Sequence, residues 1–299
     1  MMLTLAKVFI RLISILPLRL LHAVAAPCGW LLYCLPWNKH RVIRINLALC
    51  FPELSTAERR RLHRQHLVEL IRLVLEAGAI WYWPAEKIEA HVQLDGWEAV
   101  ATAAEKEQGL ILVSGHLGNW ELLNLYLSMH LPVATLYRAP DNPKLDRFIS
   151  EPRERFGAHM VAGGSPSLRH LLSQLKQGKA TALAADIQPK RGDGLYVPLF
   201  GQPALTMTLV NKLATRTGSP VVLCWAERRR RGAGWTLRFQ RAPEPISSPD
   251  PESGLQALNH WLEHSIRSNP AQYLWLYKRF SRQPDGSKPY RNPKRQQDN

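Results

Sequence analysis

The chain has 299 residues, 45% of them hydrophobic, enough for one sizeable core with room for an attached module. Lys and Arg number 39 against 24 Asp and Glu, a formal net charge of +15. That charge points to a polyanionic partner (nucleic acid, an anionic membrane face or a phosphorylated substrate) without choosing among them. The cysteines Cys28, Cys34, Cys50 and Cys224 form no CxxC pair, which excludes a disulfide framework or a zinc site built on them and leaves isolated structural thiols as their expected role.

The N-terminus is apolar and basic. Leu20 to Leu35 carries no Lys, Arg, Asp or Glu, yet it is shorter than the roughly 20 apolar residues a spanning helix needs. "AVAA" resembles a signal-peptide cleavage site, but the apolar character continues past it through Trp30 and Leu35, and Lys39, His40, Arg41 and Arg44 follow. A retained helix lying in or dipping into the cytoplasmic membrane face is expected over residues 1–50, with a cleaved signal or a plain soluble helix as alternatives. Ser55 and Glu58 form a capping box at the head of a helix that runs to about Trp83, where Pro84 stops it.

From about residue 90 short apolar runs alternate with helical patterns. Strands are expected at 91–94, 110–114, 133–136, 159–161, 180–184, 220–225 and 235–240. Helices are expected at 97–106, 119–129, 142–156, 165–176, 206–217 and 251–269. This alternation predicts an α/β fold: a mixed, largely parallel sheet flanked by helices, behind an N-terminal membrane-anchoring helical segment. Residues 51–280 form the α/β domain on this reading, and residues 281–299 a loose polar tail.

One stretch, "LVSGHLGNWEL" (residues 112–122), carries the chemistry. A buried-looking strand ends at Ser114 and runs into Gly115, His116, Gly118, Asn119 and Glu121. On an unbroken helix His116 and Glu121 would diverge by about 140°. Gly115 and Gly118 permit a sharp turn, Asn119 is a natural N-cap, and Glu121 then falls in the first helical turn. His116 is thereby expected to fold back toward Glu121 at the carboxyl edge of the sheet, where ligands bind in open α/β folds. A carboxylate on one imidazole nitrogen leaves the other free as a general base. Free amides at the helix N-terminus, with Gly118 and Asn119 at its head, offer a site for substrate and for a developing oxyanion. The bland alternative is a histidine capping a turn, with Glu121 complementing the helix dipole. No G-x-S-x-G elbow occurs, so direct attack by a substrate hydroxyl is expected in place of a covalent acyl-enzyme.

The H-x4-E pattern in "GHLGNWE" resembles the H-x4-D/E motif of the late acyltransferases of lipid A biosynthesis, the lauroyl/myristoyl type. Three further blocks are similar to that family in order: "YRAPDNP" (Tyr137–Pro143), "ADIQPKRGDGLYVPLFG" (Ala185–Gly201) and "QYLWLYKRF" (Gln272–Phe280). The resemblance implies an inner-membrane enzyme facing the cytoplasm that moves an acyl chain from acyl carrier protein to a hydroxyl of a phosphorylated glycolipid, with no metal or organic cofactor. It implies His116 as base and Glu121 as its orienting partner, and makes Arg138 and Asp186 site residues. A phosphate or oxyanion contact is expected of Arg138; the alternative role for Asp186 is as its structural partner. The sequence departs from the pattern at Asp186-Ile187-Gln188, where relatives often have glutamine directly after the aspartate, and at Tyr277, where many have histidine. These departures bear on the acceptor more than on the reaction. Rival readings are the same chemistry on a glycerophospholipid or a phosphoinositide mannoside, or a basic non-enzymatic protein of the membrane surface or nucleic acid.

Overall fold

The computed structural model describes residues 2–190 and 192–291. Four helices come first: α1 (Met2–Ile13), α2 (Leu18–Cys34), α3 (Lys39–Cys50) and α4 (Thr56–Tyr82), followed by the short α5 (Ala85–Glu89). The remainder alternates: β1 (Val92–Asp95), α6 (Glu98–Glu105), β2 (Leu110–Ser114), α7 (Trp120–His130), β3 (Val133–Tyr137), α8 (Pro143–Glu154), β4 (His159–Ala162), α9 (Ser165–Lys176) and β5 (Ala180–Ala184). A hairpin, β6 (Gly194–Leu199) and β7 (Gln202–Met207), precedes α10 (Leu209–Thr217), β8 (Val221–Arg228), β9 (Trp235–Arg241) and α11 (Pro251–Ser268).

Seven strands form one sheet in the order β1-β9-β8-β2-β5-β3-β4. All neighbours are parallel except β8 and β9. The α/β class and the mixed, mostly parallel sheet expected from the alternation are therefore present. Central strands are apolar on both faces because helices cover both. Ile111, Val113, Leu183 and Leu223 face one layer with Leu171, Leu213 and Leu258. Leu110, Leu112, Ala182 and Val222 face the other, with Val100, Leu122 and Leu125.

Two differences from the sequence reading have local causes. The β6–β7 hairpin was not foreseen, because Pro198 and Pro203 interrupt both runs; they stand opposite each other in the ladder. Thr206 and Met207 belong to β7, so the helix expected from 206 begins at Leu209. The capping box forms as read: Glu58 N–H donates to Ser55 Oγ at 3.2 Å, and Ser55 N–H donates to Glu58 Oε2 at 2.8 Å. The N-terminal helices pack onto the rest of the chain: α2 and α1 lie along α4, and Ile43 and Leu47 of α3 enter the core. Part of the expected loose tail is also docked. Tyr290 Oη donates to Asn46 Oδ1, and Arg41 Nη2 donates to Arg291 O at 2.6 Å. Residues 292–299 of that tail lie outside the described residues.

Among the described residues no single helix is long and apolar enough to cross a membrane, although α2 and α3 together pass by length and composition, bent by 96°. Helices α1 and α2 and the turn between them leave Leu5, Phe9, Leu12, Ile15, Trp30 and Leu31 exposed.

Candidate active site

Strand register builds the site. β2 and β5 are parallel neighbours with Ser114 opposite Ala184, and the ladder continues one step further where Ala185 N–H donates to Ser114 O at 2.8 Å. Both chains leave the sheet at the same height, so the residues two positions on, His116 and Asp186, lie side by side at its carboxyl edge. Asp186 grips His116 twice. Its Oδ1 meets ring Nδ1 at 2.8 Å, and its Oδ2 accepts the His116 backbone N–H at 2.9 Å. Asp186 is buried, while the His116 side chain retains 22% exposure. Nε2 has no hydrogen-bond partner among the described residues.

The electrostatics follow. Burial disfavours the charged imidazolium, but the Asp186 carboxylate and its hydrogen bond outweigh burial, with Glu121 adding, so the His116 pKa is raised above 6.5. Burial likewise opposes charge on Asp186, yet His116 and Tyr273 hold its pKa below the usual carboxylate range. The pair is thus an ionised buried carboxylate fixing an imidazole whose outer nitrogen faces outward.

The expectation that Glu121 receives the imidazole is corrected by this geometry. Glu121 is in the first turn of α7 as read, but its carboxylate is engaged by Arg153 of α8, through Nε to Oε2 at 2.8 Å and Nη2 to Oε1. A fork-to-fork guanidinium pair satisfies both oxygens, and Nδ1 already has the nearer Asp186. Glu121 therefore acts on His116 through its charge. Asp186 is correspondingly not the partner of Arg138. Arg138 follows β3, is exposed and makes no hydrogen bond or ion pair among the described residues.

Gly118 and Asn119, read as substrate contacts, instead hold the loop. Gly118 has φ +67°, and a Cβ there would come within 1.6 Å of Ala226 O, so glycine is required twice over. Gly115 needs no such angle; it is small because Leu262 Cδ2 lies 3.1 Å from where its Cβ would be. Gly118 N–H donates to Gln272 O at 3.0 Å, and Leu274 N–H to His116 O at 3.0 Å. Asn119 is fully buried; Oδ1 caps α7 by accepting from Leu122 N–H at 3.1 Å, and Nδ2 donates to Glu76 Oε2 at 2.6 Å. The amides of Trp120 and Glu121 head α7 without partners among the described residues. The Trp120 ring lies edge-on to the imidazole, with centroids 5.0 Å apart.

Glu76 was missed in the sequence. From inside α4 it accepts from His22 Nε2 at 2.8 Å, from Asn119 and from Arg228 Nε at 2.7 Å. Arg228 is buried, and Gln272 closes the network on its backbone. The only sequence signal was a lone acid on the apolar side of a long helix. Arg153 gave none that set it apart from its neighbours Arg147 and Arg155.

The other blocks are structural as well. Asn142 and Pro143 are the N-cap and first residue of α8. Arg279 is buried and donates to Leu205 O at 2.7 Å and Thr206 Oγ1 at 2.9 Å, anchoring β7. The two departures from the family pattern touch: Tyr277 Oη donates to Gln188 O at 3.4 Å. Among the described residues no group of three His, Cys, Asp or Glu could hold a metal ion.

A strand-edge imidazole fixed by a buried carboxylate thus stands beside a helix N-terminus, and the chain is an acyltransferase. It belongs to the bacterial lipid A biosynthesis acyltransferase family, whose model matches residues 2–282. It is 28% identical over 274 residues to the lipid A biosynthesis lauroyltransferase of Escherichia coli K12, covering 91% of this chain and 88% of that protein. It is 27% identical over 255 residues to the lipid A biosynthesis palmitoleoyltransferase of the same strain (84% and 82% covered). Similarity also extends to the phosphatidylinositol mannoside acyltransferase of Mycolicibacterium smegmatis, 29% identical over 182 residues and 58% of each chain.

Proposed function

We propose that the chain transfers a fatty acyl group from an acyl carrier protein thioester to a hydroxyl of a phosphorylated glycolipid of the lipid A type, at the cytoplasmic face of the inner membrane. The observation that carries the mechanism is the His116 ring: Nδ1 is held by buried Asp186 and Nε2 is left open. Nε2 takes the acceptor's hydroxyl proton as its oxygen attacks the thioester carbonyl. The C–S bond then breaks, and the thiolate leaves with the proton carried by the imidazolium. The amides of Trp120 and Glu121, with the helix dipole behind them, face the negative charge that develops on the carbonyl oxygen.

Asp186 in this reading sets the tautomer and steadies the imidazolium. Glu121, clamped by Arg153, adds negative charge near the ring without leaving its own partner. Arg138, exposed and unpaired, is suited to a phosphate of the acceptor through two parallel hydrogen bonds. Gly118 and Asn119 shape the loop and do not touch substrate. The exposed apolar residues of α1 and α2, interleaved with Lys7, Arg11 and Arg19, support an interfacial helix pair seated in the bilayer surface.

The test is purified enzyme with acyl carrier protein thioesters and a panel of acceptors: a lipid A precursor, a glycerophospholipid and a phosphoinositide mannoside. Acylation of the first, abolished by His116→Ala, is the expected result. Transfer to another acceptor alone would reject the substrate, and transfer that survives His116→Ala would reject the mechanism.

A further inference from the structure

A concave region lies apart from His116, at the elbow between α2 and α3. It is an open cleft of about 1080 Å³, lined by none of His116, Glu121, Arg138 or Asp186. Four cations border it, Arg41, Arg44, Lys278 and Arg291, with Tyr33 and Trp37 on the aromatic side and no carboxylate in its lining. None of the four forms an ion pair among the described residues. Arg41 Nε is buried without a hydrogen-bond partner, although its Nη2 reaches Arg291 O. Arg44, Lys278 and Arg291 are exposed and Arg41 is half-buried, so the cleft presents a concentrated positive surface open to an anion from solvent.

The elbow itself is built to hold this shape. His40 bonds His63 Nε2 at 3.0 Å through Nδ1, and its Nε2 lies 3.1 and 3.0 Å from the carbonyls of Leu32 and Leu35. Burial, with His40, His66 and Arg44 nearby, lowers the His63 pKa to about 3, so that ring stays neutral. His63 therefore adds no charge to the four cations of the cleft. Its rim continues into bare apolar surface: Trp30, Leu31 and Leu35 at the end of α2 are 61%, 56% and 49% exposed. Cations in a concavity, aromatic rings beside them and unpartnered apolar side chains next along the chain are the layers of a bilayer interface in order.

We infer that the cleft bordered by Arg41, Arg44, Lys278 and Arg291 holds the phosphate of an anionic phospholipid headgroup, separately from the acceptor site at His116. The inference rests on α1 and α2 lying in the bilayer surface. A bound headgroup at the elbow fixes the depth and tilt of the sheet edge relative to the membrane. It does so through α3, whose Asn46 donates to Trp275 O at 2.8 Å and to Tyr277 O at 2.9 Å in the segment that pins the His116 loop.

The experiment is co-sedimentation of the full chain with phosphatidylglycerol vesicles and with phosphatidylcholine vesicles at one fixed ionic strength. The variants are R44Q/K278Q/R291Q and, as a control of equal charge loss, K176Q/K212Q/R216Q on exposed faces of α9 and α10. The unaltered chain is expected to prefer phosphatidylglycerol. The cleft variant is expected to lose more than about tenfold of that preference while keeping its phosphatidylcholine binding, and the control to lose less than about threefold. Equal losses in the two variants overturn the cleft and leave only general surface attraction. Competition by inorganic phosphate that abolishes the preference overturns the lipid as the ligand in favour of free phosphate. Binding to neither vesicle by any form overturns the membrane seating itself; it is a different result from binding both without preference, which rejects the cleft alone.

Discussion

Asp186 reaches both the ring and the backbone of His116, with Oδ1 at 2.8 Å from Nδ1 and Oδ2 at 2.9 Å from the peptide nitrogen. One carboxylate therefore sets the tautomer and the position of the imidazole together. Asp186→Asn keeps the volume and offers Nδ1 a neutral partner in place of a charge, and half of the possible amide orientations favour the wrong tautomer. The expected outcome is a fall in kcat of about 10²–10⁴-fold with KM for the thioester little changed. A steady-state comparison of the two proteins checks this. A kcat within threefold of the unaltered enzyme contradicts an orienting role.

Glu121 and Arg153 form one unit, so their substitutions are expected to be non-additive. Loss of either partner leaves the other part-buried and uncompensated. A double-mutant cycle with Glu121→Ala and Arg153→Ala is expected to show a coupling of about 1–3 kcal/mol in stability. Additive losses would show that the pair is not formed in solution.

Gly118 and Gly115 are expected to respond differently to alanine. At Gly118 the new Cβ meets a backbone carbonyl in a left-handed turn; at Gly115 it meets the end of the flexible Leu262 side chain. Gly118→Ala should cost at least about 3 kcal/mol of stability, or misplace His116 and remove activity, whereas Gly115→Ala should cost about 1 kcal/mol. Thermal melts and activity assays on the two variants decide it. Equal effects would contradict the turn described.

The sheet was legible because its strands are short apolar runs set between helical periods, and the parallel order follows from the crossovers. The His116–Asp186 pair was half legible. Both residues stand two positions beyond five-residue apolar runs, ending at Ser114 and Ala184, and pairing those runs in register places them together. The sequence does not say that β2 and β5 are neighbours, since β3 and β4 intervene along the chain. Local spacing instead favoured Glu121, five residues away, whose true partner lies 32 residues on. The hairpin was hidden by its prolines. Glu76 was hidden because a buried ion network shows in sequence only as isolated charges on otherwise apolar faces.

Glu76 is the junction of that network, since His22, Asn119 and Arg228 all meet it inside the protein. Burial opposes its charge, but Arg228 and His22 outweigh it and its pKa is lowered below the ordinary value. A lowered carboxylate pKa contributes stability that is present above its unfolded pKa and is lost as pH falls through the folded value. Glu76→Ala strands Arg228 and uncaps the Asn119 turn, and is expected to cost about 3–5 kcal/mol. Glu76→Gln is expected to cost less. Denaturant melts measure both, and a cost of Glu76→Ala below about 1 kcal/mol would contradict the network's role.

The central claim is that His116 acts as a base through Nε2 while Asp186 holds its other nitrogen, and the pH dependence of kcat/KM tests it most directly. The raised His116 pKa means that the neutral, active ring is lost as pH falls, at a higher pH than for an ordinary imidazole. The acid limb of the unaltered enzyme should therefore lie above the range of an ordinary imidazole. In Asp186→Asn, where that carboxylate no longer favours the proton, the limb should move to lower pH. An acid limb that stays in place when Asp186 is replaced, or a profile without one, would contradict the account.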